Sequence, residues 1–585
     1  MSRNRQLLRY FVKSWPSFAA GGVALLATNL LALSIPRQIG AAVQHLRDAA
    51  DTASIDVSAV ESLAWTIAAL ALGAAVARVV SRVFIFNAGR QTEYRLRNEL
   101  FAHLTRLDRA FFERSATGDL TSRVVNDVTF VRLMFGFGVL HVVNTAIAYV
   151  VVLSLMLSVS PKLTLYSLLP YPIIFFTVRL FTKAVYTRTQ AVQAQLSAIS
   201  ARAQENLSGA MVVRAFAIQD RENDAFRALS DEYVERNLAL ARVRGALMPY
   251  MGVIGGLGML IVLWLGGLET IREGITLGEY IEFSAYIVTL AWPTMAMGWV
   301  LSMWHRGTAA FDRLGVILDA KPSVAPPATG ALHLPAISAT SGEIQFEGVS
   351  LTYEDGTEAL RGVDLTIAAG TTVAIVGRTG GGKTSLVHLV ARMRDPTAGR
   401  VLLDGVDLRD VDPVEVRGEI GYVPQDPFLF SMTVEDNIRL GERPGSGLTV
   451  DDAVRIAGLS DDVEILSNGL QTLVGERGVT LSGGQKQRVT IARAVMRAPR
   501  VLVLDDALAS VDTRTERRIL DELAAVMKGR TSLVVTHRFS ALELVDEIVV
   551  VDEGRVAERG SHEALLALGG IYAGLHRRQQ MEEEA

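Results

Sequence analysis

Cysteine is absent from the 585 residues. That absence excludes disulfides, thiolate zinc sites and cysteine nucleophiles. Charge is also sparse. Asp, Glu, Lys and Arg together make up 21% of the chain, the net charge is −4 and the sequence pI is about 6.2. Nucleic-acid binders are usually basic, so nucleic acid is not an expected partner. The first apolar run is too long for a signal peptide and lacks a small-residue cleavage site. What the chain has in quantity is apolar surface: 50% hydrophobic residues, 50 glycines and a mean hydropathy of +0.28. This composition rules out a disordered, collagen-like or coiled-coil chain. It points to a membrane-embedded part fused to a soluble part.

Long apolar runs occur only before about residue 305. Six spans are expected, at roughly 18–35, 62–86, 134–158, 163–182, 247–268 and 278–301. Each is near or above the ~18 residues needed to cross a bilayer. Arg3, Arg5, Arg9 and Lys13 precede the first span without an acid, which orients that tail to the cytoplasm. An even span count returns the chain to the same side. The two inner connections, 87–133 and 184–246, are long and Arg-rich, with apolar residues at helical spacing. They read as helical hairpins whose tips dock on a soluble domain, with turns at Gly118 and at Ser208–Gly209. Asn29, His141, Asn144 and Glu282 are the notable polar residues within the spans; interhelical hydrogen bonding is the plainer reading and function the sharper one. Trp264, Trp292, Trp299 and Trp304 read as interfacial anchors or as the lining of a cavity.

Pro-Ser-Val-Ala-Pro-Pro at 322–327 opens a linker. The expected domains are 1–320 (membrane), 321–342 (linker) and 343–585 (soluble). In the soluble part, an apolar strand leads into Gly377, Arg378, Thr379, Gly380, Gly381, Gly382, Lys383 and Thr384, followed by Ser385 and an apolar helix. This is the phosphate-loop pattern in its strand–loop–helix context. Glycines let backbone N–H groups wrap phosphates, and the helix start adds its dipole. Lys383 should reach the β and γ phosphates, and Thr384 should hold magnesium. A second apolar strand ends in Asp505-Asp506, which suits a magnesium carboxylate followed by a carboxylate near the attacking water. Between the two strands, Leu-Ser-Gly-Gly-Gln (481–485) opens another helix. Ser482, Gly483, Gly484 and Gln485 form a second anion-binding start, which makes sense if it faces the nucleotide of another subunit.

With these motifs the chain resembles the ATP-binding cassette (ABC) family, over essentially its whole length. The resemblance implies six transmembrane helices with long cytoplasmic extensions, followed by an α/β phosphate-loop ATPase domain. It implies ATP and Mg2+ as cofactors. It implies Tyr353 stacking on adenine, Gln425 contacting magnesium beside Thr384 and Asp505, and His537 as the γ-phosphate switch. The runs 474–478 (Val-Gly-Glu-Arg-Gly) and 509–512 (Ala-Ser-Val-Asp) resemble loops that touch the inner hairpins and cross to the opposite site. Residues 111–120 and 205–209 resemble the coupling regions of six-span exporters. The implied function is ATP-driven export as a half-transporter in a bacterial inner membrane, both termini cytoplasmic. The apolar, aromatic spans fit drugs, lipids or peptides. An importer on the same scaffold, or a regulatory or channel-forming ATP-binding subunit, is the alternative.

One position departs from the family pattern. Where the family usually has Glu after the magnesium Asp, this chain has Asp506, which loses on the order of 1.5 Å of reach; errors near 1 Å can cost about 100-fold in rate. An intact Ser482–Gln485 run with a shortened carboxylate resembles the degenerate-site half of a heterodimeric exporter. A homodimer in which Asp506 works slowly is the competing expectation.

Overall fold

The computed structural model describes residues 3–52, 57–327, 330–338, 341–475, 481–508 and 513–583. It divides into two compact units. The first comprises Met1–Thr105 and Thr117–Asp319, and the second comprises Arg106–Ala116 and Ala320–Ala585. Among its described residues the first unit has helices as its only regular elements, joined by short turns. Five of its helices are long and apolar enough to cross a membrane: Trp15–Ala49, Val57–Leu104, Thr117–Val159, Gln219–Ile271 and Leu277–Leu318.

The expected fourth span, 163–182, is not one continuous apolar helix. Helix Pro161–Leu168 ends, and helix Tyr171–Ser208 begins after Pro170 with Pro172 in its first turn. Pro170 lacks a backbone donor and cannot continue the first helix, whereas Pro172 stands in the first turn of the second, where a missing N–H costs nothing. The expected turn at Gly118 also moves. Gly118 is helical within Thr117–Ser122, and the chain breaks instead at Asp108 and Ser115, which cap a short helix, Arg109–Arg114. The turn at Gly209 stands where expected, as the C-cap of Tyr171–Ser208. Inside the spans, Asn29 Nδ2 donates to Asn144 Oδ1 at 3.0 Å, and Glu282 accepts from the Tyr286 hydroxyl at 2.7 Å. Both are the interhelical or intrahelical bonds that satisfy polar groups in an apolar setting.

The second unit is built on two sheets. Strands β1 (Ile344–Thr352), β2 (Glu358–Ile367), β4 (Ala398–Leu403) and β5 (Val406–Asp407) form an antiparallel sheet in the order β2-β1-β4-β5. Strands β3 (Thr372–Val376), β6 (Ile420–Val423), β7 (Val501–Asp505), β8 (Thr531–Val535), β9 (Glu547–Asp552) and β10 (Arg555–Gly560) form the other, in the order β10-β9-β3-β8-β7-β6. Its neighbours from β9 to β6 are parallel, and β10 closes the edge antiparallel. β3, β7 and β8 are buried at every residue, as expected of parallel strands covered on both faces. Alternation then sorts their side chains. Val501 and Val503 pack with the β1–β2–β4 side and the Lys383–Val390 helix, whereas Leu502 and Leu504 pack with the Gly483–Met496 helix and its neighbours.

Candidate functional site: a phosphate loop at the ends of parallel strands

Because β3, β6, β7 and β8 run parallel, their C-terminal ends share one edge of the sheet. The phosphate loop follows β3, Asp505 ends β7 with Asp506 next, His537 lies just after β8, and Gln425 just after β6. Ligands of open α/β sheets bind beyond such carboxyl ends. The loop geometry depends on glycine. Gly380 has φ +80 with open space where a Cβ would stand, and Gly382, at φ +106, would drive a Cβ to 2.5 Å from the Ala359 carbonyl oxygen. Helix Lys383–Val390 starts directly behind, leaving its first N–H groups toward the loop.

Lys383 is buried. Its Nζ donates to the carbonyls of Gly377 and Arg378, both at 2.9 Å. Burial pushes its ammonium pKa down, opposed by the charges of Asp506 and then Asp505. Asp505 is 1% exposed. Its Oδ1 accepts from Thr384 Oγ1 and its Oδ2 from the Tyr422 hydroxyl, each at 3.1 Å. Burial raises the Asp505 pKa against these two hydrogen bonds; the charge of Asp506 adds to the rise and that of Arg109 opposes it. His537 lies at the surface of the same neighbourhood. Partial burial and the Lys383 charge hold its imidazole below the ordinary value, opposed by Asp506. Asp506 is thus within electrostatic reach of both Lys383 and His537. Its own backbone is left-handed at φ +49, and its N–H is held by the Val535 carbonyl at 2.9 Å.

These residues fit a magnesium–nucleotide. A buried ammonium whose partners here are neutral carbonyls would gain from an anionic phosphate. A buried carboxylate beside a threonine hydroxyl is an all-oxygen donor pair of the kind magnesium prefers.

Tyr353 and Ser385 meet, hydroxyl to hydroxyl, at 2.8 Å, and the Arg394 guanidinium stacks 4.7 Å over the Tyr353 ring. Gln425 is exposed beyond β6. Ser482 caps helix Gly483–Met496 in a reciprocal box. Gln485 N donates to Ser482 Oγ at 3.3 Å, and Ser482 N donates to Gln485 Oε1 at 2.9 Å. Gln485 also donates to Asp462 at 3.0 Å. Among the described residues no hydrogen bond joins 482–485 to the phosphate loop. Residues 476–478 and 509–512, both singled out in the sequence, lie outside the described residues.

Several residues of the site carry no motif. Tyr422 orients Asp505, and Gln487 donates to the Asp506 carbonyl at 3.4 Å. His388, Arg109, Glu113 and Arg394 form a polar cluster behind the loop. The only sequence signal for Tyr422 is its place in an apolar strand directly before Val-Pro-Gln. For His388 there is none beyond a histidine on an apolar helix.

Residues 18–294 match the ABC transporter transmembrane region family, and residues 360–509 match the ABC transporter family of ATPase domains. The chain is 34% identical over 577 residues to a Bacillus subtilis protein named "Probable multidrug resistance ABC transporter ATP-binding/permease protein YheI", covering 98% of this chain and 97% of that one. It is 32% identical to the ATP-dependent lipid A-core flippase of Syntrophus aciditrophicus, over 99% of this chain and 95% of that protein. A solved structure of a bacterial Atm1-family ABC exporter with ATP bound superposes with a TM-score of 0.78 at 28% identity, covering 98% and 99% of the two chains. This chain belongs to the ABC transporter family. It is an integral membrane protein in which a helical transmembrane domain is fused to an ATPase that drives transport.

Proposed function

We propose that the chain is one half of an ATP-driven exporter of hydrophobic or amphipathic molecules. The observation that carries this reading is the buried Lys383 beside the Thr384–Asp505 pair, in a chain whose other part is a membrane domain. The names of its relatives, multidrug resistance and lipid A-core flippase proteins, support drugs or lipids as cargo and export as direction. The proposed limits are 1–320 for the membrane domain, 321–342 for the linker and 343–585 for the ATPase. The basic tail before the first span supports cytoplasmic termini, and the bacterial relatives support a location in the bacterial cell (inner) membrane.

In this reading Tyr353 stacks on adenine. The loop from Gly377 to Ser385 cradles the phosphates, with Lys383 meeting the outer ones. Thr384, Asp505 and Gln425 hold magnesium, which when bound neutralises charge on the phosphate oxygens. Asp506 and His537 face the γ-phosphate end. Ser482, Gly483, Gly484 and Gln485 complete the nucleotide site of a second half-transporter. The short Asp506 carboxylate supports a heterodimer in which the partner carries the competent base. ATP can drive closure of two such domains only by binding the closed pair more tightly than the open one.

Reconstitution into vesicles with the ATPase domain outward tests this. Fluorescent amphiphile should accumulate inside on ATP addition, and Lys383→Ala should abolish the accumulation. ATP-driven loss from preloaded vesicles would mean import, and ATP-gated conductance without flux would mean a channel subunit.

A further inference from the structure

Segment Arg106–Ala116 interrupts the membrane unit in sequence but belongs to the ATPase unit in space. Asp108 begins its short helix, accepting from Phe111 N at 3.3 Å, and also accepts from Ser323 and from Val324 N. From this helix Arg109 Nη1 reaches His388 Nε2 at 2.9 Å. Arginine can only donate, so His388 Nε2 must accept, and the ring hydrogen sits on Nδ1. His388 is 4% exposed. Burial, then the charges of Arg109 and Arg394, hold its imidazole down to about 4, with Glu113 opposing. The ring is therefore neutral at physiological pH, and its accepting nitrogen is satisfied by the segment.

His388 sits four residues after Thr384, on the same face of the same helix. Its ring lies 6.0 Å from the Tyr422 ring, tilted by 46°. Tyr422 in turn gives its hydroxyl to Asp505 Oδ2, while Thr384 takes Oδ1. The two carboxylate oxygens are thus oriented from two directions, and one of those directions leads back to Arg109. Glu113 braces the arrangement. It accepts from Arg109 Nε at 2.9 Å and from Arg394, the residue stacked on Tyr353.

We propose that Arg109 and His388 are positioning residues for the metal carboxylate of this site: Arg109 pins the neutral His388 ring, that ring fixes Tyr422, and Tyr422 holds Asp505 in its ligating orientation. The inference rests on the magnesium–ATP reading above and adds what sets metal affinity there. Without Arg109 a buried acceptor loses its partner, a loss that costs more than a surface hydrogen bond. The ring is then free to turn, and Tyr422 loses its backing.

The test uses the full chain in lipid nanodiscs with its co-expressed partner. Mn2+ is titrated in the presence of a non-hydrolysable ATP analogue and followed by electron paramagnetic resonance. Lys383→Ala defines any signal from the partner's site. Tyr422→Phe should weaken Mn2+ about 10-fold, the low end for loss of an outer-shell partner. Arg109→Met and His388→Leu should act in the same direction. Combining either with Tyr422→Phe should add little, because all three act through one contact chain. Arg109→Gln keeps a donor for His388 and should recover most of the affinity. Binding of the analogue without metal should stay at the parent value in the Arg109, His388 and Tyr422 variants. Arg114→Ala, which removes the ion pair to Glu354 from the same segment, should leave Mn2+ affinity unchanged. Parent-like Mn2+ affinity in Arg109→Met, or fully additive losses, would overturn the proposal. So would an equal loss of metal-free binding, which marks a structural role. A parent that binds no analogue at all would instead sink the nucleotide reading, and this inference with it.

Discussion

The two units put leucine and valine to opposite uses. In helix Val57–Leu104 only 6% of the most apolar 18-residue stretch is buried within the protein, whereas β3, β7 and β8 are buried at every residue. Residues of the same kind stand on the outside of the protein in one unit and against other side chains in the other. Apolarity in the first unit selects a solvent, while in the second it builds a packed interior that holds Lys383 and Asp505 out of water. Composition alone does not separate these cases. Run length does, because twenty apolar residues span a bilayer and five make a strand.

The contrast is broken most severely by the same truncation made in each unit. Leu502, fully buried in β7, should cost about 2–5 kcal/mol when cut to Ala. Leu72, 69% exposed, should cost less than about 1 kcal/mol by the same change, since lipid refills the space. Thermal denaturation in matched detergent reads both, and equal losses would refute the two-solvent account.

Lys383→Ala should weaken ATP binding by roughly 100-fold, the scale of losing a charge-assisted hydrogen bond of about 3 kcal/mol, while span insertion stays intact. Photolabelling equal to the parent would refute the phosphate-loop assignment. Asp506 gives a smaller effect if a partner supplies the base. Asp506→Asn should then reduce ATPase less than about 10-fold, whereas removal of a sole general base costs about 100-fold or more. Strong ATPase from this chain alone, lost on Asp506→Asn, would establish a homodimeric pump.

The mildest test is pH. His388 titrates near 6.5 when unfolded and at about 4 when folded. A histidine whose folded value is depressed contributes stability that is fully present above about 6.5 and is lost as pH falls toward about 4, because the unfolded chain binds the proton first. Between pH 7.5 and 4.5 the parent should lose a few degrees more of melting temperature than His388→Gln. Identical pH profiles would mean that the ring is not held neutral.

Much of the site was legible because it rests on local chemistry. The loop from Gly377 to Thr384 needs glycine for positive φ and a lysine at its end. Asp505 follows an unbroken apolar strand, and Ser482 with Gln485 writes its own cap. Tyr422, His388 and Arg109 lie close to motifs in the sequence, yet their pairing was not legible, because no local pattern says which distant side chain each one meets. Each acquires its partner only when β6, the Lys383–Val390 helix and a segment nearly 280 residues upstream come together. The expected fourth span illustrates the opposite failure. Its hydropathy was read correctly, but the chain leaves the helix at Leu169 and Pro170 and starts a second one at Tyr171.

The sequence by itself determined the membrane and nucleotide halves, the phosphate loop and the family. Apolar runs, glycine-dependent turns and helix caps are decided by neighbours along the chain. Only the tertiary structure decided that Arg106–Ala116 joins the ATPase unit, that Thr384 and Tyr422 share Asp505 between them, and that His388 is buried and neutral. Those are contacts between distant residues, and their energies exist only once burial has removed the competing water.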